Sequence, residues 1–199
     1  SRLKQKVIND NSYLGFISTF YNDVNTSSKI YAADGAFHLI DNKLKFDTQI
    51  ATSNIVDIEN NGFGQSHEIS YTDIINSSNQ FFNNNIFDIW VNYERYDEDF
   101  YINHTGYLQR NDHMFLNVGL AFTENNPNAS SIYRTFNIQA KKTENMNRDR
   151  LNSSISFSWQ NTFINNYFFG FSYLHTLPHY DDWLFLDYDY NYFIDNNSP

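Results

Sequence analysis

Apolar and polar residues alternate along most of the chain, and this period of two is typical of β-strands whose two faces differ. The clearest example is residues 154–160, where the apolar side chains are Ile155, Phe157 and Trp159. Successive side chains of a strand point to opposite faces, so we expect these three on one face and the intervening serines on the other. In a membrane-spanning strand, the apolar face would contact lipid and the serines would face the interior.

Similar runs recur at regular spacing and are separated by polar links rich in Asn and Asp, which favour turns. The predicted strands are residues 3–8, 12–21, 29–40, 44–50, 65–75, 85–95, 114–123, 132–139, 154–160, 167–173 and 184–194. The predicted links include 9–11, 22–28, 41–42, 55–64, 76–84, 124–128, 143–147, 161–164 and 177–182. This pattern predicts about eleven antiparallel strands joined by hairpin-length links.

The predicted fold class is therefore all-β: an antiparallel up-and-down meander forming part or all of a transmembrane β-barrel. Many runs are about 9–11 residues long, the length of a tilted membrane-spanning strand. Strands of soluble domains are most often about 5–6 residues long. A helical period is absent from the sequence, which argues against an α/β fold.

A soluble β-sandwich also alternates, so it stays open as the second interpretation. Aromatic residues near the predicted strand ends favour the barrel, because aromatic girdles mark both membrane interfaces. They are Tyr13, Phe20, Tyr21, Tyr31, Phe87, Tyr93, Tyr133, Tyr167, Tyr173 and Trp183. The polar faces carry Ser, Asn, Gln, Asp and Gly, as expected of a hydrated interior.

Residues 93–112 form the one long segment that is neither a clean alternating strand nor a short turn. Long irregular segments in otherwise regular folds are often functional. We expect this segment to form a structured loop at a strand end that folds inward or packs on the rim.

The irregular segment resembles a Bacteroidota outer-membrane β-barrel family of unknown function. The residues that carry the resemblance are Asp99-Phe100, Asn103, Gly106-Tyr107-Leu108 and Arg110-Asn111-Asp112. Two earlier stretches follow in the family's order, Asn11-Ser12-Tyr13-Leu14-Gly15 and Tyr31-Ala32-Ala33-Asp34. The sequence departs from the family's pattern at His104, where Pro is common, and at Tyr107, where Phe is common.

Members of that family carry an N-terminal carbohydrate-binding-like sandwich followed by a long barrel. The resemblance implies that residues 1–199 are an outer-membrane β-barrel segment, a fragment of a larger barrel or a pared-down member. The opening residues Arg2-Leu3-Lys4-Gln5-Lys6 lead into no apolar signal region. We therefore expect either that a signal was removed or that the chain is a piece of a longer one.

Charge and composition exclude several functions. The formal net charge is -10, which argues against binding nucleic acid, because phosphates attract Lys and Arg. The chain has no cysteine, so it can form neither a disulfide framework nor a thiolate site. No run of about 18 apolar residues is present, so no transmembrane helix is predicted.

Acidic residues supply the candidate binding groups. Asp97 and Asp99 lie beside Arg95 and Arg110, which suggests either a cation site or charge-lined constriction, or a solvated loop shaped by an Asp99–Arg110 ion pair. The second interpretation is favoured.

Asp187 and Asp189 begin a pattern like that of a calcium loop, but Tyr192 and Ser198 stand where Gly and Glu are needed. On a strand, the two aspartates simply share the lumen face. The binding candidates are therefore Asp97, Asp99, Arg110, Asp187 and Asp189. No metal site and no cofactor are predicted, because the six histidines show no ligand spacing.

The predicted function is that of a non-enzymatic outer-membrane β-barrel protein of a Gram-negative bacterium: a channel, a transporter component or a subunit of an outer-membrane assembly. Its expected partner is the lipid bilayer, with other outer-membrane proteins or glycans as further candidates. The alternative is a soluble β-sandwich carbohydrate-binding module, and no acid–base constellation favours an enzyme. Because short turns of such barrels lie in the periplasm, Asn42 is assigned there and His104 to the cell surface.

Overall fold

The computed structural model describes residues 1–24, 27–55, 60–75, 85–102, 108, 110–125, 130–181 and 192–194. All regular secondary structure in these residues is β-strand. The strands are β1 Arg2–Lys6, β2 Tyr13–Asn22, β3 Ser27–Leu39, β4 Leu44–Ile55, β5 Asn60–Ile75, β6 Asn85–Tyr96, β7 His113–Glu124, β8 Ser131–Glu144, β9 Arg150–Phe163, β10 Phe168–Thr176, β11 His179–Asp181 and β12 Tyr192–Ile194.

Strands β1 to β10 form one antiparallel sheet in which each strand pairs with its neighbours in sequence. This confirms the predicted all-β fold and the up-and-down order. The short strands β11 and β12 form a separate antiparallel pair. Most of the last predicted strand, residues 184–194, lies outside the described residues, and its described part is β12.

Several predicted links are wrong in extent. Ser27 and Ser28 begin β3, Thr143 and Glu144 end β8, and His179–Asp181 form β11, although all of them were expected in links. Residues 60–64 were expected in a loop, but β5 begins at Asn60. Residues 161–163 were expected in a turn, but they belong to β9. Asn161 is buried in that strand, and its side-chain oxygen accepts a hydrogen bond of 2.7 Å from the Ser131 hydroxyl. A tertiary partner thus overrides the turn preference of asparagine.

The predicted hairpin at Asp41 and Asn42 is confirmed, and both residues have positive φ angles, of 54° and 65°. Asparagine and aspartate tolerate this left-handed conformation better than other non-glycine residues. The Asn11 side chain donates a hydrogen bond of 3.0 Å to the Asn42 side chain. The links at residues 9–11 and 41–42 therefore lie at the same end of the strands, as their order in the meander predicts.

The chain divides into two compact units. Unit 1 comprises Ser1–Ile69, Asn92–Leu116 and Thr143–Asp149. Unit 2 comprises Ser70–Val91, Asn117–Lys142 and Arg150–Pro199.

The strand register in unit 1 separates two faces. Phe16 lies opposite Ala33, and Ala33 lies opposite Ile50, so these side chains share a face. We call this the apolar face. Its exposed large residues are Leu3, Leu14, Phe16, Phe20, Tyr31 and Ile50, and its half-buried ones, near the link between β3 and β4, are Phe37, Leu39, Leu44 and Phe46. The opposite face, the polar face, carries charged residues together with a few small and aliphatic ones. Its members include Arg2, Lys4, Ile17, Thr19, Ile30, Ala32, Asp34, Asp47, Gln49 and Ala51.

Strands β9 and β10 of unit 2 confirm the predicted segregation of side chains. Phe157 lies opposite Tyr173, and Trp159 lies opposite Phe171, while the intervening serines occupy the other face. Ring contacts join the aromatic residues, for example Trp159 with Phe169 at 5.7 Å between centroids. That lipid contacts this surface stays a prediction.

Burial in the described residues is inverted relative to a soluble domain. The buried hydrophobic residues are Ile30, Ala32, Ala36, Ile55 and Phe100. The buried polar and charged residues are more numerous: Ser12, Ser18, Ser28, Ser53, Asn85, Asn117, Glu124, Ser131, Asn145, Ser153 and Asn161. Soluble domains instead bury Ile, Val, Leu and Phe and expose most of their Ser and Asn.

Candidate functional site

The irregular segment after β6 folds back onto the polar face of unit 1. We call its described first part, residues 97–102, the cover segment. The Asp97 amide donates a hydrogen bond of 3.0 Å to the carbonyl of Phe63 in β5. The Phe100 amide then donates one of 3.0 Å to the Asp97 carbonyl, closing a tight turn. As expected, this part of the segment packs on the sheet and does not extend into solvent. That it folds into a barrel interior stays a prediction.

The cover segment packs closely against two glycines of β5, Gly62 and Gly64. A Cβ atom on Gly62 would collide with the backbone of Asp99 and Phe100. A Cβ atom on Gly64 would lie 2.8 Å from the ring of Phe100 and 2.7 Å from that of Tyr96. Neither glycine has a positive φ. A side chain is therefore excluded by close neighbours, the backbone of the cover segment at Gly62 and two aromatic rings at Gly64, and not by an unusual backbone conformation.

Phe100 is the anchor of the cover segment. It is only 2% exposed, and its ring stacks on Tyr96 with centroids 5.6 Å apart and an interplanar angle of 19°. Such ring pairs contribute about 0.5–1.5 kcal/mol beyond the area that they bury. The neighbouring Tyr101 amide donates a hydrogen bond of 2.9 Å to the Ser53 hydroxyl in β4. The cover segment is therefore held by a ring contact with β6 and by a backbone-amide hydrogen bond to β4.

The far end of the irregular segment returns to the same turn. The Asp112 amide donates a hydrogen bond of 3.4 Å to the Asp97 carbonyl, and the Asn111 side chain donates one to the Glu98 carbonyl. The Asp112 carboxylate accepts a hydrogen bond of 2.9 Å from the Met146 amide. The two ends of the segment are thus tied together and to the link after β8.

The predicted binding residues fall into three situations. Asp97 forms an ion pair of 3.1 Å with Arg95. Asp99 is exposed, and Arg110 lines a small cavity together with Glu94 and His113. The Asp99–Arg110 ion pair stays a prediction.

Asp187 and Asp189 lie outside the described residues, so their shared lumen face also stays a prediction. The described residues contain no group of three or more His, Cys, Asp or Glu side chains arranged to hold a metal ion.

A cavity of about 320 Å³ lies against the cover segment on the polar face. Its apolar walls come from four residues of β2 to β4 and three residues of the irregular segment. These residues are Ile17, Ile30, Ala32, Ala51, Phe100, Ile102 and Leu108. Polar groups of the lining include Thr19, Gln49, Ser66 and Tyr96.

A charged cavity of about 400 Å³ also lies on the polar face of unit 1. Asp34, Asp47 and Glu68 line it, together with Arg2 and Tyr13. Arg2 forms an ion pair of 3.2 Å with Asp34. Gln49 and Ser66 line both cavities. They therefore lie between the neutral cavity and the charged one.

Sequence reasoning missed Gly62, Gly64 and Ser53 as parts of this site. A signal for the glycines was present, because the chain has only seven glycines and these two are spaced two residues apart. That spacing puts both on one face of a strand. This signal was overlooked because Asn60-Asn61-Gly62 was assigned to a loop.

Among the described residues there is no helix of the length and apolar character needed to cross a membrane. Comparison with known proteins identifies no matching family model, no similar curated protein and no similar solved structure.

Proposed function

We propose that this chain is a non-enzymatic segment of an outer-membrane β-barrel in a Gram-negative bacterium. Its apolar face contacts lipid, and its polar face lines an aqueous interior narrowed by the cover segment. In this role the chain serves as a channel, a transporter component or a subunit of an outer-membrane assembly. Its main partner is the bilayer, and other outer-membrane proteins or glycans are further candidates. The resemblance to the Bacteroidota barrel family is part of the proposal.

The inverted burial of unit 1 carries this proposal. Phe16 is 48% exposed and Ile50 is 44% exposed in the middle of long strands. On the opposite face, the serines Ser28 and Ser53 are buried. Exposed apolar patches of this kind mark contact with a membrane or a partner. A barrel in lipid needs its apolar residues outside and its polar residues inside.

A soluble sandwich would place its apolar face in the core between two sheets. The exposed rings of unit 2 are the observation that favours the second candidate, a carbohydrate-binding module. Phe169, Phe171 and Tyr173 are each more than half exposed and stand on one face of β10. Such rings could stack on the faces of sugars. The experiment below separates the two functions.

The test compares Ile50→Arg with Gln49→Arg. The two residues are adjacent in β4, both are exposed, and they point to opposite faces, so each variant adds the same group and charge. The free energy of unfolding is measured by urea titration of the full chain folded into phospholipid vesicles. We expect Ile50→Arg to cost about 2–4 kcal/mol, because it places a cation in lipid, and Gln49→Arg to cost less than about 1 kcal/mol.

Equal and small effects of the two substitutions would contradict the membrane placement. So would a chain that stays monodisperse in buffer without detergent or lipid. In that case, binding of soluble oligosaccharides by the wild type and by Phe171→Ala would test the second candidate.

Orientation in the membrane has its own test. Asn42→Cys should resist a membrane-impermeant maleimide in intact cells and react after lysis, because the short 41–42 turn is assigned to the periplasm. His104→Cys, at a position outside the described residues, should react in intact cells. Labelling of Asn42→Cys but not of His104→Cys in intact cells would reverse the assignment. Labelling of both would contradict the arrangement of links.

A further inference from the structure

The cavity against the cover segment differs in character from the face on which it lies. The polar face of β1 to β4 carries Arg2, Lys4, Asp34 and Asp47, and the chain as a whole has a net charge of -10. None of the described residues that line this cavity is charged. A neutral cavity on a charged face disfavours ions, because an ion would lose its hydration without gaining an opposite charge.

Aliphatic side chains interrupt the polar face at this place. Ala32 and Ala51 are cross-strand partners, and Ile17 lies opposite Ala32 on the other side. With Ile30 from β3 and Phe100 from the cover segment, they form a continuous apolar wall. Such a wall is misplaced in a purely hydrated interior and is suited to the apolar body of a ligand.

Hydrogen-bonding groups stand beside this wall. The structure gives the side chains of Thr19, Gln49 and Ser66 no hydrogen-bond partner within the part of the chain that it describes. A hydroxyl and an amide both donate and accept hydrogen bonds. A ligand that reaches these groups needs a few uncharged polar atoms beside its apolar body.

We propose that this cavity is a binding site for a small neutral molecule with an apolar body and one or two hydroxyl or amide groups. The volume of about 320 Å³ is near the lower end of the range for ligand pockets, which restricts the ligand to small molecules. Phe100 forms one wall of the site, so the cover segment is part of the binding surface. The proposal rests on the cavity and goes beyond the membrane role of the chain.

Three probes of similar size test whether the site requires a neutral ligand. 2-Phenylethanol is neutral, phenylacetate is an anion and phenethylammonium is a cation. The full chain, with ¹³C-labelled isoleucine methyl groups, is studied by NMR in lipid nanodiscs, or in buffer if it needs no lipid. We expect 2-phenylethanol to shift the methyl signals of Ile17 and Ile30, and we expect these shifts to saturate as its concentration rises. For so small a molecule, the expected dissociation constant is about millimolar. The two charged probes should bind at least tenfold more weakly.

Exposed Ile155 of β9 serves as the internal control for partitioning into lipid. A shift at Ile155 that grows in proportion to probe concentration reports partitioning, whereas saturation confined to Ile17 and Ile30 reports the cavity. Shifts at Ile17 and Ile30 that never saturate, or equal binding of all three probes, would overturn the proposal.

A second arm fills the cavity. Ala32→Leu adds volume at its wall, and Ala33→Leu adds the same volume at the adjacent exposed position on the apolar face. We expect at least tenfold weaker binding of 2-phenylethanol for Ala32→Leu and unchanged binding for Ala33→Leu. If Ala32→Leu does not fold, Ala51→Leu at its cross-strand partner replaces it.

Unchanged affinity in a folded variant that fills the cavity would overturn the site. Thr19→Val, which keeps the shape and removes the hydroxyl, should weaken binding about two- to tenfold. These outcomes are independent of the Ile50 and Gln49 comparison, so failure of this site and failure of the membrane placement are distinguishable.

Discussion

Two phenylalanines show how differently this protein uses aromatic residues. Phe100 of unit 1 belongs to the irregular segment and is 2% exposed, with its backbone against Gly62. Phe169 of unit 2 belongs to the regular strand β10 and is 56% exposed, with Trp159 as its ring partner at 5.7 Å. The irregular residue is buried, and the residue in the regular alternating strand is not.

The difference teaches that alternation in this chain does not mark the residues that become buried. It marks the face of a sheet, and residues of the apolar face of unit 1 such as Phe16 and Ile50 are exposed as well. Burial arises where a second layer of chain covers the sheet, and the cover segment provides that layer over β5. Three experiments test this comparison, from the largest expected effect to the smallest.

The largest difference is expected between Phe100→Ala and Phe169→Ala. Loss of the buried Phe100 ring leaves a cavity and should reduce the free energy of unfolding by about 3–5 kcal/mol. Loss of the exposed Phe169 ring removes mainly one ring pair and should cost about 1 kcal/mol. Urea titration of the folded chain in the same lipid or detergent measures both. Equal losses would show that Phe100 is not an anchor.

Gly62→Ala tests the close approach of the cover segment. The new methyl group collides with backbone atoms of Asp99 and Phe100, which cannot rotate away, so we expect a loss of about 1–3 kcal/mol. Gly170→Ala in β10 is the matched control. Its methyl group would lie 3.0 Å from the end of the Phe168 ring, an exposed side chain that can move.

The Gly170 substitution should therefore change stability by less than about 0.5 kcal/mol, the usual range for surface substitutions. Proteolysis of the folded variants gives a second measurement, because a displaced cover segment exposes its backbone. A Gly62→Ala variant as stable and as resistant to protease as Gly170→Ala would contradict the described contact.

The smallest effect is expected from Asp97→Asn. The Asp97–Arg95 ion pair is partly exposed on both sides, and pairs of this kind contribute about 0–1 kcal/mol. Its contribution should shrink further at high salt. The backbone amide and carbonyl of Asp97 still hold the turn, and the substitution leaves both in place. A loss in the free energy of unfolding above about 2 kcal/mol would mean that the Asp97 charge stabilises the turn more than its backbone hydrogen bonds do.

Much of the site could not be predicted from the sequence. Asp97 and Arg110 were singled out as charges, but the neutral contacts of Phe100 with Gly62 and Gly64 organise the described part of the segment. Those contacts join residues more than thirty positions apart. No local pattern encodes such a pairing.

The sequence by itself determined the strands, their order and the two faces of each strand. These features depend on local turn chemistry and on a period of two, which act over a few residues. The meander of β1 to β10 and the hairpin at Asp41 and Asn42 were predictable for that reason.

Only the tertiary structure decided which apolar residues are buried and where β5 begins. Asn60-Asn61-Gly62 has the composition of a turn, but it becomes strand where Phe100 packs against Gly62. Likewise, Ile30 and Ala32 are buried on the polar face, whereas Phe16 and Ile50 are exposed on the apolar one. The physical reason is that burial depends on what lies over a residue, and distant segments of the chain supply that layer.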